Sequence, residues 1–310
     1  MKFLMTIFNV FFGSNIKHGK AHDLQTWFNH MFFFHREKVF RKLFPVMTVL
    51  TVYALSIVIM ENYWTLFDKI HNPNLGQFHL VFSFVLSIVI SFRVNTTYSR
   101  WWEGRNLWGT LVNDCRNVSM KFENFAGLAE HHEFYDFLRI FPQVLKSHLR
   151  KDVESIIKEF ASIGVIYDPS ANVHPCVYLA NHMYRAINQL RKDGILTMEQ
   201  YLSLDTHIVS LINVTGGCER IASTPVPISF SFFVKQGLLF YSLIFPFGWA
   251  DKFGYLIIPM MLVMLYILLG LELMAEELED PFGTDDNDLQ LDTIAGNILR
   301  NVKAIAEHKV

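Results

Sequence analysis

Several groups of residues in this 310-residue chain have side chains able to do chemistry. The densest is a run of carboxylates, Glu276, Glu277, Glu279, Asp280, Asp285, Asp286, Asp288 and Asp292, set around Pro281 and Gly283. Carboxylates at alternating positions of a turn suit a hard cation such as calcium, which takes about six to eight oxygens. The spacing is not that of an EF-hand loop, and a solvated acidic run has the same composition. A second group is histidine: His18 and His22 stand one helical turn apart, with His30 and His35 nearby. No acidic or third histidine partner is placed by spacing, so a solvated or interfacial role suits them better than a metal. His131-His132 lacks the preceding histidine that a membrane-bound metal oxidase would need. The cysteines, Cys115, Cys176 and Cys218, are far apart and form no C-x-x-C pair. That argues against a disulfide framework or thiolate zinc site and for buried thiols facing a reducing compartment. No phosphate loop, nucleophile elbow or zincin motif is present, so no enzyme is expected.

A different kind of work is written into Phe78–Trp108. Its first half, to Phe92, carries no charge; its second half mixes Arg93, Arg100, Glu103 and Arg105 with Trp101, Trp102 and Trp108. The change marks the edge of a bilayer. Phe84, Ile88 and Phe92 fall at i, i+4 and i+8 and share one helix face. Ser83, Ser87 and Ser91 make a stripe of small residues beside them, which lets membrane helices approach closely. The large apolar stripe is either ordinary packing or the lining of whatever the helices surround.

The bulk composition agrees with a protein partly in lipid. It is 51% hydrophobic with 29 Phe, and its 18% charged residues fall below the roughly 25% of soluble domains. Mean hydropathy is +0.24. A net charge of −2 gives no field for nucleic acid. Four apolar runs predict four membrane-spanning helices: Phe44–Met60, Phe78–Phe92, Ser229–Trp249 and Phe253–Met274. Basic residues 17–42 before the first run and Arg93, Arg100 and Arg105 after the second place both flanks on the cytoplasmic side. Short outer links follow at Asp68–Gln77 and Asp251-Lys252, which leaves both termini inside. Met1–Phe12 reads as an amphipathic interfacial segment rather than a cleaved signal.

The expected organisation is an interfacial segment over 1–43, spans over 44–92, a helical cytosolic domain over 93–227, spans over 228–274 and an acidic cluster with a tail over 275–310. Within the cytosolic domain, helices are predicted over His132–Ile163, His174–Lys192 and Thr197–Cys218, with a loop at Asp168–Pro175. Thr197 and Gln200 resemble a capping box. Gly216-Gly217 and Thr224-Pro225-Val226-Pro227 are expected to end the third of these helices, and Ile294–Ile305 closes the chain as a helix.

Three runs together resemble one family, the bestrophins, and in particular their bacterial members. They are Phe92-Arg93 through Arg100-Trp101-Trp102-Glu103 to Leu107-Trp108-Gly109, then Gly216–Arg220 with Thr224-Pro225-Val226-Pro227, then Glu279–Gly283 with Asp285–Leu289. The resemblance implies an all-α membrane protein that assembles as a homopentamer around a central pore and passes monovalent ions. Chloride or other anions are expected by family analogy; a sodium-selective channel of the same fold and a non-conducting membrane scaffold are the alternatives. The implied address is the bacterial inner membrane. The resemblance puts a pore neck at Phe84, Ile88 and Phe92, the stripe already found by spacing. Arg93 just below it would favour anions if it faced the pore, or could be tied to a carboxylate such as Glu103 or Asp114. A second, cytosolic constriction is expected from Ile208 or Ile212. In animal members the acidic cluster forms a calcium clasp; here it would use the Asp285 and Asp288 side chains and backbone oxygens near Glu277 and Asp280. Thr284 stands where those members carry an acid, and pairing of the cluster with Arg and Lys of the inner domain is the expectation preferred to calcium. No other cofactor is implied.

Overall fold

The computed structural model describes residues 38–63, 75–127 and 131–307. The expectations for Met1–Phe12, for His18, His22, His30 and His35, and for most of the first outer link lie outside those residues. Among the described residues all regular structure is helical. The α-helices are α1 Lys38–Tyr63, α2 Leu75–Ala126, α3 His132–Leu149, α4 Val153–Ala161, α5 Pro175–Lys192, α6 Met198–Ser223, α7 Ile228–Phe253, α8 Ile257–Glu279 and α9 Leu291–Ala306. Short 3-10 turns lie at Pro169–Ala171 and Gly254–Leu256.

The chain divides into two compact units at 92/93, 231/232 and 274/275. The first holds the apolar segments. Among the described residues, three stretches are long and apolar enough to cross a membrane, Val39–Glu61, Leu75–Ala126 and Ile228–Glu279. The last is 52 residues long, well over the roughly 20 residues that one crossing needs. It is interrupted between α7 and α8 by the 3-10 turn at Gly254, whose φ is +52°. Asp251 and Lys252, expected in the link, instead belong to the last turn of α7. Glycines let these helices meet closely: a Cβ on Gly237 would lie 3.2 Å from Leu86, and one on Gly248 would lie 2.8 Å from His79. The Tyr53 hydroxyl donates to the Leu243 carbonyl at 2.8 Å, joining α1 to α7.

The second unit is built on α2 from Arg93 onward with α3, α4, α5, α6 and α9. Trp108, Leu111, Cys115, Val118 and Phe122 follow one face of α2 at intervals of three and four and are wholly buried. Phe122 stacks on Phe134 of α3 at 4.0 Å between ring centroids. Cys115, Cys176 and Cys218 are free and buried in this core. Burial pushes their thiols up, Cys218 to about 12.

Helix ends follow their local chemistry. Thr197 and Gln200 form the expected capping box, closing two orphan amides at the start of α6. The expected 132–163 helix is instead two, because the chain turns at Lys151, with φ +57°, and Asp152 caps α4 by accepting from Ser155 N. Pro142 lies inside α3. The expected break at Gly216-Gly217 does not occur. The helix runs through both glycines to Ser223, and a Cβ on Gly217 would lie 2.9 Å from the Leu107 methyls. Gly217 thus serves close packing, and the helix stops short of Pro225, which disfavours helical backbone before it.

Candidate functional site

The face of α2 that carries Phe84, Ile88 and Phe92 is set by what the opposite face buries. His79, Leu86, Ile90, Arg93 and Thr97 recur at near-heptad spacing and are buried. Phe84, Ile88 and Phe92 lie off that stripe, 68%, 40% and 64% exposed on the described chain. Their neighbour serines offer little polarity, since Ser83 Oγ donates to Leu80 O and Ser87 Oγ to Ser83 O, each within its own helix. The surface is apolar and uncharged.

Arg93, one residue on, turns the other way. Its side chain is 1% exposed, and its Nη2 donates to Glu279 at 3.1 Å and to Ser231 Oγ at 3.2 Å. Of the two expectations for Arg93, a charge facing a pore or a tie to a carboxylate, the pairing is the second, with Glu279 as the carboxylate rather than Glu103 or Asp114. Glu279, read in the sequence only as part of the acidic run and of the third resembling run, is a hub. Its other carboxylate oxygen accepts from Val226 N at 3.0 Å. Its carbonyl faces Arg100, whose guanidinium also donates to the Ile221 and Thr224 carbonyls at 2.6 Å, closing the end of α6. Trp101 Nε1 donates to Asn287 O at 2.9 Å. Glu103 pairs with Arg220. The residues from all three resembling runs therefore meet around one carboxylate.

In the loop after α8, Asp288 is the centre of the acidic cluster. Its Oδ2 accepts from Asp285 N at 2.6 Å, while its Oδ1 is buried with no hydrogen-bond partner among the described residues. Burial first, then the charges of Asp285, Asp280 and Glu277, push its carboxyl up to about 6. Gly283 leaves the space: a Cβ there would lie 2.6 Å from Asp288 Oδ2. An orphaned, buried carboxylate oxygen amid three more acids fits a cation. Glu277 also accepts from Asn287 Nδ2 at 2.6 Å.

Ile208 is 0% exposed and belongs to the core of the second unit. Of the two residues expected at a cytosolic constriction, Ile208 is thus enclosed within its own chain, while Ile212, one turn on, packs partly buried against the same core. The exposed apolar positions on α6 are Met198, Leu202 and Val209. Asp114 accepts from Ser210 and contacts His207 Nδ1 at 2.9 Å, with Lys121 Nζ 2.9 Å from the other ring nitrogen. Among the described residues, His148, His174 and Glu219 form one further cluster, with ligand atoms all within 4.8 Å of one another. They come from three elements, and no sequence spacing relates them.

The family described as Bacterial/Fungal Bestrophin protein matches residues 19–304. A voltage-dependent anion channel-forming protein of Mesorhizobium japonicum is 33% identical over 273 residues, covering 86% of this chain and 85% of its own. The voltage-dependent anion channel-forming protein YneE of Escherichia coli K12 is 26% identical over 276 residues, covering 88% and 90%. A crystal structure of a bacterial bestrophin homologue from Klebsiella pneumoniae superposes with a TM-score of 0.77 at 27% identity, covering 86% of this chain and 99% of that one.

Proposed function

The chain belongs to the bacterial and fungal bestrophin proteins, and from that membership we propose a membrane ion channel of five copies around one central passage. In this reading α1, α2, α7 and α8 each cross the bilayer, the long third segment being divided at its 3-10 turn. Both termini face the cytoplasm of a bacterial inner membrane, in keeping with the basic residues at 17–42 and 93–105. The α2 helix of each copy lines the passage, and Phe84, Ile88 and Phe92 form three successive apolar rings.

The observation that carries the reading is the exposed apolar stripe on α2, set off from a buried one. Rings of Phe and Ile offer no oxygen to replace a hydration shell, so such a neck holds ions back by drying rather than by charge. An ion passes when it keeps its water or the neck widens. The relatives' names support anions as the permeant species. A second reading, passage of monovalent cations such as sodium, is favoured by one observation: Arg93, the residue after Phe92, is buried against Glu279. Its charge is spent inside the subunit, and nothing in the stripe itself prefers anions.

Planar-bilayer recording of the purified protein in a salt gradient tests both. A reversal potential near the chloride equilibrium value supports anion passage, and one near the cation value supports the second reading. No flux from an intact oligomer supports a scaffold and ends the channel proposal. Where calcium is bound, the Asp285 and Asp288 side chains and the backbone oxygens of Glu277 and Asp280 would hold it, and its charge would offset the repulsion within that cluster.

A further inference from the structure

Outside the proposed passage and the acidic loop, the second unit brings two imidazoles and a carboxylate to one point. His148 lies in the last turn of α3, His174 caps the start of α5, and Glu219 lies in the last turns of α6. His148 Nε2 is 2.7 Å from Glu219 Oε1, and His174 Nε2 contacts the same oxygen. The two imidazole rings stand 4.5 Å apart. Each side chain is about one-third exposed, at 29%, 30% and 36%, so solvent reaches the cluster.

We infer that His148, His174 and Glu219 form a binding site for a borderline divalent cation of the zinc class. Two imidazole nitrogens with one carboxylate oxygen is a ligand set that zinc takes readily, leaving a fourth position for water. Ligands at zinc bond lengths of about 2.0–2.1 Å in a tetrahedron stand roughly 3.4 Å apart. The three ligand atoms here lie within 4.8 Å of one another, so a small opening of the side chains admits the ion. In the ion-free arrangement both Nε2 atoms face one carboxylate oxygen. On binding, each Nε2 gives its lone pair to the ion. The ring proton of His174 then sits on Nδ1, which now accepts from Val177 N at 3.3 Å. That long cap bond is the interaction exchanged. Cys176 and Cys218 lie close enough for the Glu219 charge to act on them, but burial keeps both protonated and out of the ligand set. The bound ion would tie the ends of α3, α5 and α6 together, whether or not the chain conducts.

The test uses full-length protein in detergent, stripped with chelator and dialysed against zinc. Bound metal is then counted per chain. The wild type is expected to hold one zinc that a combined His148→Gln and Glu219→Gln variant loses. Affinity should fall by about a hundredfold or more, given that even supporting partners of a ligand are worth about ten- to a hundredfold. A His18→Gln, His22→Gln variant should keep that zinc. Zinc should also raise the melting temperature of the wild type and not of the double variant. X-ray absorption of the cobalt-loaded wild type needs no variant and should give a nitrogen and oxygen shell. No stoichiometric uptake, uptake unchanged in the double variant, or a sulfur shell would overturn the site.

Discussion

Phe84, Ile88 and Phe92 carry no atom that can take water's place around an ion, so in the proposed neck their part is steric and hydrophobic. Cutting one ring back to methyl groups widens the neck and lets water remain. If Ile88→Ala or Phe92→Ala takes about 1 kcal/mol from the drying barrier, unitary conductance rises about fivefold. Single-channel recording checks this, and unchanged currents in both variants would remove the neck assignment. Arg93 stands next to Phe92 in sequence, yet its side chain is buried where Phe92 is exposed. Adjacent residues on a helix point about 100° apart, which is enough to send one to the open face and the other to Glu279. Arg93→Gln is expected to leave selectivity unchanged and to destabilise the protein by roughly 3–5 kcal/mol, as when one partner of a buried pair is removed. Thermal melting and reversal potentials on the same preparation separate the two effects. The stripe was legible because it needs only a period; the direction of a single arginine was not, because Glu279 lies 186 positions away.

At the scale of elements, end signals carried by neighbouring residues could be read. Thr197 and Gln200 announce the start of α6, and Thr197→Ala should cost about 1 kcal/mol. Hydrogen exchange should then speed up first at the amide of Gln200, the group that loses its acceptor. Signals that depend on a distant partner misled. Gly216-Gly217 has the composition of a break, but Leu107 of α2 occupies the space a side chain would need. Lys151 has no turn signature, yet its left-handed backbone separates α3 from α4. Ile208 lies on the buried face of α6, and the period of α6 alone does not say which side the core lies on. The cluster of His148, His174 and Glu219 lay beyond sequence reading for the same reason: three elements deliver one residue each.

For the whole molecule, the resemblance read from the sequence rests on three short runs, and the structure gathers them around Glu279. Their separate positions in the chain are what folding one compact unit from residues 93–231 and 275–307 requires. The neck proposal needs several copies, because a single α2 leaves its stripe exposed. Native mass spectrometry of the detergent-solubilised protein should give five chains per particle; a monomer or dimer would leave no closed ring. The wholly internal placement of Cys115, Cys176 and Cys218 opens a route to that axis. These are all the thiols the chain has, and with their sulfurs enclosed and protonated they should ignore thiosulfonate reagents. A cysteine engineered at Ile88 would then be the sole labelling target, and the unaltered protein would serve as its own silent background.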